Sequence, residues 1–200
     1  MNNNIFIPQP DDSEHVAQAV NVIGTVMNTL DVKWFVSFGA LLYFIRDKNM
    51  GIPFDQDFDI SVLGDINREQ LAQRFSEFGF PLKNKYPKKG KPYQMVFKHH
   101  DILLSIDVFM WVEANGHWWH TYDQGSSKFV WKGTPERMFR GDTYSYPWVD
   151  IVPDLRFPNL YGTLLDYWYP GWYVPDKQFG QSQGKIVKLG DLKNLGEKLK

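Results

Sequence analysis

Three aspartates, Asp55, Asp57 and Asp59, stand at every second position of GIPFDQDFDIS (residues 51–61), inside an otherwise apolar run. On an extended backbone alternate side chains share a face. The three carboxylates then point the same way, and at least two can converge on one metal ion or metal pair. Oxygen donors suit Mg²⁺ or Mn²⁺, and a divalent ion both relieves carboxylate repulsion and holds phosphate oxygens. The competing reading is a solvent-facing strand edge, where acids suppress edge pairing. The apolar frame of Ile52, Phe54, Phe58 and Ile60 tips the balance toward a metal.

Asp107 raises the same question inside LLSIDVFMW. An acid within such a strand is expensive if buried and unpaired. It is either a paired structural residue or a third ligand or general base beside Asp57 and Asp59. Two apolar strands, each interrupted by acids, fit a composite site better than two coincidences. Ser37-Phe38-Gly39-Ala40 follows one strand and precedes a helix, where backbone amides can hold phosphate and glycine permits close approach. Tight packing is the more common explanation of a single glycine before a helix. Arg46, on the same helix, either reaches a phosphate or forms a surface pair, and spacing does not choose. His117-Trp118-Trp119-His120 has no HExxH pattern or cysteine companion, which leaves zinc without support. Fingerprints of serine hydrolases, P-loop enzymes and dinucleotide binders are absent.

These residues need elements to position them. Asp11 and Glu14 have capping-box spacing, and Val16, Val20, Ile23, Met27 and Leu30 recur at helical intervals, which predicts a helix to about Leu30. Lys33 to Ser37 reads as a strand, Ala40 to Asp47 as a helix ended by Asn49 and Gly51, and Phe54 to Leu63 as the acid-bearing strand. Asn67 and Gln70 open a third helix with Leu71, Phe75 and Phe78 on one stripe. The basic run Lys83 to Pro92 reads as a loop. Strands are expected over Tyr93 to Lys98 and Ile102 to Val112, with Asn115-Gly116 turning the chain into His117 to Tyr122. Prolines and glycines then interrupt the pattern around a short helix near Asn159 to Tyr167.

The 22 Lys and Arg against 23 Asp and Glu leave a net charge of -1, so nucleic acid is not an expected partner. No cysteine is present, which excludes thiol nucleophiles and thiolate metal sites. The 200 residues suit one domain: a catalytic core over about 11–125, an aromatic-rich region over about 126–180, and a flexible tail over 181–200. Without a signal-like start or a run that spans a bilayer, a cytoplasmic protein with no transmembrane segment is expected.

The run Trp34 to Arg46 followed by Gly51 to Ile60 resembles the LicD and fukutin-related phosphotransferase family, whose core looks like the nucleotidyltransferase fold. That pattern is a Gly-Thr-Leu-Leu turn and helix, an arginine, then Ile-Pro-Trp and an acidic run. Here Gly39 and Arg46 keep their places, Ala40 replaces the threonine, Phe54 the tryptophan and Gln56 one acid, while Asp55, Asp57 and Asp59 remain. Ile106-Asp107-Val108-Phe109 resembles the family's second acidic strand. Phe139, Gly141, Val152-Pro153, Tyr161-Gly162, Tyr169, Pro170 and Trp172 resemble its distal pattern.

The resemblance implies transfer of a phospho-alcohol, of phosphocholine or polyol phosphate type, from a CDP-linked alcohol donor to a glycan or sugar hydroxyl. Asp57 and Asp59 would hold Mg²⁺ or Mn²⁺ against the diphosphate, and Asp107 would complete the metal site and orient or deprotonate the acceptor. Asp55 would contact the metal or orient its ligands. Ser37, Gly39 and Ala40, with Arg46, would position phosphate. The implied architecture is a nucleotidyltransferase-like α+β domain, a mixed sheet flanked by the three early helices. Trp118, Trp119, Trp168 and Trp172 would close over donor or acceptor. Nucleotide transfer onto a protein or small molecule, and a non-catalytic glycan-binding protein, are the alternatives.

Overall fold

Helical spacing of apolar residues folds Asp12–Met27 into α1, which buries Val20, Ile23 and Met27 completely. The computed structural model describes residues 12–47, 57–87, 92–102, 104–123, 129–141, 143–145, 155–174 and 185–188. Asp55, with the rest of 48–56, and the basic residues 88–91 lie outside them. Strand β1 (Lys33–Val36) leads into α2 (Phe38–Asp47), then β2 (Asp57–Leu63) and α3 (Arg68–Glu77). The Asn67 side chain accepts the Gln70 amide at 3.0 Å, so the expected cap opens α3.

Five further strands complete most of the sheet: β3 (Leu82–Tyr86), β4 (Gln94–Lys98), β5 (Ser105–Ala114), β6 (His117–Asp123) and β7 (Phe129–Pro135). Asn115 and Gly116 both take positive φ, 52° and 69°, as a two-residue hairpin between β5 and β6 requires. A 3-10 turn (Glu136–Phe139) leads to β8 (Thr143–Ser145), which pairs with β9 (Arg156–Pro158) ahead of α4 (Tyr161–Trp168). Strand β10 (Lys185–Lys188) pairs antiparallel with β7, so part of the stretch read as a tail belongs to the sheet.

The fold is thus α+β, a mixed sheet flanked by helices, with strand order β1-β2-β5-β6-β7-β10 and β4 and β3 joined through β5. The β2–β5 pair is parallel, and the other pairs are antiparallel. Two further segments, besides β10, differ from the sequence reading. Leu82–Tyr86 forms a strand rather than a loop, with the side chains of Leu82 to Lys85 exposed. β7 was hidden because Val130, Trp131 and Lys132 are all buried, which erases alternation.

The two sheet faces differ in chemistry. Phe58, Ile60 and Val62 of β2 and Ile106, Val108 and Met110 of β5 share one face and are at most 2% exposed. Phe97 of β4 lies on that face opposite Ile106, and Phe75 of α3 stacks on it at 4.4 Å, so α3 covers this side with α1 packed beside it. The other face carries the acids and then Ser61, whose hydroxyl accepts the Trp111 indole N–H at 2.8 Å. Trp111 joins Phe38, Phe139 and Trp168 in an aromatic group over this half of the sheet. Among the described residues no helix is long and apolar enough to cross a membrane.

Gly133 stands opposite Trp119 in the β6–β7 pair, and a Cβ there would lie 2.6 Å from the indole. The ring cannot swing aside freely, because its N–H donates to the Ala114 carbonyl at 3.0 Å. Gly133→Ala is therefore expected to destabilise the fold by about 1–3 kcal/mol, the scale of core overpacking, measured by urea unfolding. An unchanged midpoint would show that Trp119 has room the structure does not display.

Candidate active site

Parallel register does most of the assembly. Asp59 stands opposite Asp107 and Asp57 opposite Ser105, and partners across a ladder project to the same face. Asp57 lies two residues before Asp59 and so joins them. One carboxylate oxygen from each of Asp57, Asp59 and Asp107 falls within 4.8 Å of the others. Asp59 and Asp107 are each 8% exposed, and Asp57 is half-buried. Asp107 Oδ2 also accepts a hydrogen bond from Gln94 Nε2 at 2.9 Å, a contact that sequence patterning did not suggest.

Three carboxylates in so small a volume repel one another, and burial strengthens the repulsion. The donor set is all oxygen, spaced closely enough for one hard divalent ion to be shared, with room in its coordination for phosphate or water. The residues present therefore fit Mg²⁺ or Mn²⁺. Asp55, the other expected ligand, falls outside the described residues.

The expected phosphate-binding turn is built differently from its sequence reading. The Ser37 amide donates to the Asp59 carbonyl at 3.0 Å and the Ser37 carbonyl accepts from Leu41, so Ser37 joins β2 to the start of α2 and its N–H is committed. Its buried hydroxyl has no hydrogen-bond partner among the described residues. Ala40 is 1% exposed and packs in the core. Gly39 is half-buried in the first turn, beside amides that an α-helix leaves without intrahelical partners. The positive φ falls on Phe38, at 46°, and not on Gly39. A phenylalanine there is strained. Its ring is held among Phe109, Trp111, His120 and Trp168, with centroids 4.6–5.8 Å away. Arg46, in the last turn of α2, lies over the Tyr43 ring at 5.5 Å.

His120 and Lys132 face each other across β6 and β7, and both are buried. His120 packs on Trp111, with centroids 4.4 Å apart, which sets the pair on the acid-bearing side of the sheet. The Thr121 carbonyl, 3.0 Å from Nδ1, can only accept, so Nδ1 carries the proton of a neutral imidazole. Burial is the main cause that pushes the His120 pKa down to about 3, and the nearby Lys132 charge adds to it. Burial lowers Lys132 to about 8. Of the aromatics expected at a substrate surface, Trp119 and Trp168 belong to the core, where the Trp168 N–H donates to Thr134. Trp118 and Trp172 are half-buried.

No protein-family model matches the chain. Over 103 residues, 52% of its length, it is 26% identical to the ribitol-5-phosphate transferase FKTN of Homo sapiens. The corresponding proteins of Macaca fascicularis and Mus musculus are 25% and 23% identical over the same length. The match spans 22% of each of these curated relatives, about a fifth of their length.

A histidine with a folded pKa near 3 and an unfolded value of 6.5 binds its proton preferentially in the unfolded chain. Its contribution is complete above pH 6.5 and is lost as pH falls toward 3, at up to about 1.4 kcal/mol per unit. Lys132 stays protonated in both states below its folded value of about 8 and adds nothing to this slope. Between pH 7 and pH 5 the native protein should lose about 2 kcal/mol more stability than His120→Phe, read from urea unfolding. Equal losses would show that His120 accepts a proton without penalty.

Proposed function

We propose that this chain carries out metal-dependent transfer of a phospho-alcohol, of the ribitol phosphate class, from a CDP-linked donor to a glycan hydroxyl. The observation that carries the reading is the grouping of Asp57, Asp59 and Asp107 on one sheet face. Similarity to ribitol-5-phosphate transferase FKTN supports the choice of transferred group. In this reading the core over about 11–125 is catalytic, and the acceptor side is shaped by two half-buried tryptophans, Trp118 of that core and Trp172 of the region over about 126–180.

Asp57, Asp59 and Asp107 would hold Mg²⁺ or Mn²⁺, with Asp55 as a further ligand. The bound ion would supply charge neutralisation for the donor diphosphate and the departing nucleotide. Asp107 orients the acceptor hydroxyl and takes its proton as the acceptor oxygen bonds to the phosphorus that bears the alcohol. The bond from that phosphorus to the bridging oxygen breaks, and CMP leaves with the electron pair. The first-turn amides of α2 at Gly39 and Ala40, with Arg46, steady phosphate oxygens. Ser37 fixes that turn against Asp59. The reaction depends on positioning and electrostatics, and needs no protein nucleophile.

With CDP-ribitol, Mn²⁺ and a sugar acceptor panel, release of CMP and a product heavier by one ribitol phosphate are expected by mass spectrometry. Asp59→Asn and Asp107→Asn should each lower turnover by about 10²-fold or more, the scale of losing one group that stabilises transition-state charge. Without metal, the same variants remove one of three repelling charges and should melt at a higher temperature. Attachment of CMP to the acceptor would instead establish nucleotide transfer. Metal-free stability that falls in both variants would show that the carboxylates are satisfied without a cation.

A further inference from the structure

Gln94 lies on β4 opposite Phe109, one step diagonal from Asp107 in the antiparallel pair. Diagonal neighbours in such a pair are about 7–8 Å apart at Cα, within reach of a long side chain. Gln94 spans that gap and gives its amide N–H to Asp107 Oδ2 at 2.9 Å. The backbone that carries it is held from both sides. Arg68 of α3 donates Nε to the Pro92 carbonyl at 2.6 Å and sits over the Tyr93 ring. Tyr93 donates its amide to Tyr86 at 2.7 Å, accepts that of Met110 at 2.8 Å, and sets its ring edge-on to Trp131.

We propose that Gln94 is a positioning residue of the acidic site, holding the Asp107 carboxylate in the orientation that lets it share a divalent cation with Asp57 and Asp59. The proposal rests on the metal-dependent reading above. Groups that hydrogen-bond a metal-ligating carboxylate orient it and tune its affinity. A neutral amide is suited to this place because it orients Asp107 without cancelling its charge. Lysine or arginine would also donate, but would compete with the cation for the same carboxylate.

Mn²⁺ titration of the full chain, by calorimetry and by electron paramagnetic resonance, tests the proposal alongside thermal melting of the metal-free proteins. Gln94→Leu, similar in size and unable to donate, should bind Mn²⁺ about 10–100-fold more weakly than the native protein. Gln94→Lys keeps a donor and brings a positive charge, so it should melt near the native temperature yet bind Mn²⁺ more weakly than Gln94→Leu. Native Mn²⁺ affinity in a Gln94→Lys protein that melts like the native one would show that the side chain at position 94 does not act on the Asp107 carboxylate, and that result overturns the proposal even should Gln94→Leu fail to fold. Native-like affinity in a folded Gln94→Leu overturns it too, with the metal-dependent reading left standing. Absence of Mn²⁺ binding by the native protein overturns both.

Discussion

The parallel register of β2 against β5 sets two opposed demands on the same pair of strands. Asp59 opposite Asp107 brings like charges together, and two carboxylates about 5 Å apart repel by roughly 3 kcal/mol at an effective dielectric of 20. The reverse face supplies the compensation. Phe58, Ile60, Val62, Ile106, Val108 and Met110 are nearly fully buried there, each contributing roughly 1.5–3 kcal/mol. A slip of one residue along either strand would turn its acids into the layer formed by α1 and α3. Apolar burial therefore dictates the register, and the closeness of the three carboxylates follows from it.

The acid-bearing face is divided along its length. Asp57, Asp59 and Asp107 occupy the N-terminal ends of the two strands, and the Ser61–Trp111 hydrogen bond begins an aromatic region that continues through Phe38, His120 and Trp168. Phe38 links the two halves. It follows Ser37, whose amide is bound to Asp59, and its left-handed backbone costs on the order of 1–3 kcal/mol. Ring contacts with four aromatic neighbours offset that strain. The position of the α2 start beside the acids is thus enforced by packing that lies outside the acidic cluster itself.

Features with local causes were legible in the sequence. Alternation placed Asp57 and Asp59 on one face, the apolar frame singled out Asp107, and Asn115-Gly116 announced its hairpin. What stayed hidden depends on distant partners. Strand β3 lies at an edge with its side chains in solvent, so it carries no buried alternation. Lys132 disguised β7 because a lysine that is 5% exposed contradicts ordinary preference. Gln94 read as a polar strand residue like any other, since its partner is 13 positions away. Strand alternation separates Trp118 from Trp119, so that one packs and the other does not, but it does not say which; the hydrogen bonds of Trp119 and Trp168 hold both of those in the core.

The same division of the face constrains how a substrate would meet the acids. The aromatic region fills the side beyond Ser61 and Phe109, and Asp57 is the most exposed of the three carboxylates. A diphosphate donor approaching three carboxylates is itself anionic, so without a cation its approach is opposed at every step. In the proposed reaction, three acids against one divalent ion would leave a net charge of about -1, and part of the donor's charge would have to be met elsewhere. The first turn of α2 would be one such source, because its first amides, which have no intrahelical partners, start beside the Ser37–Asp59 bond and carry the positive end of the helix dipole. The tie between Ser37 and Asp59 would then fix the distance between metal and phosphate.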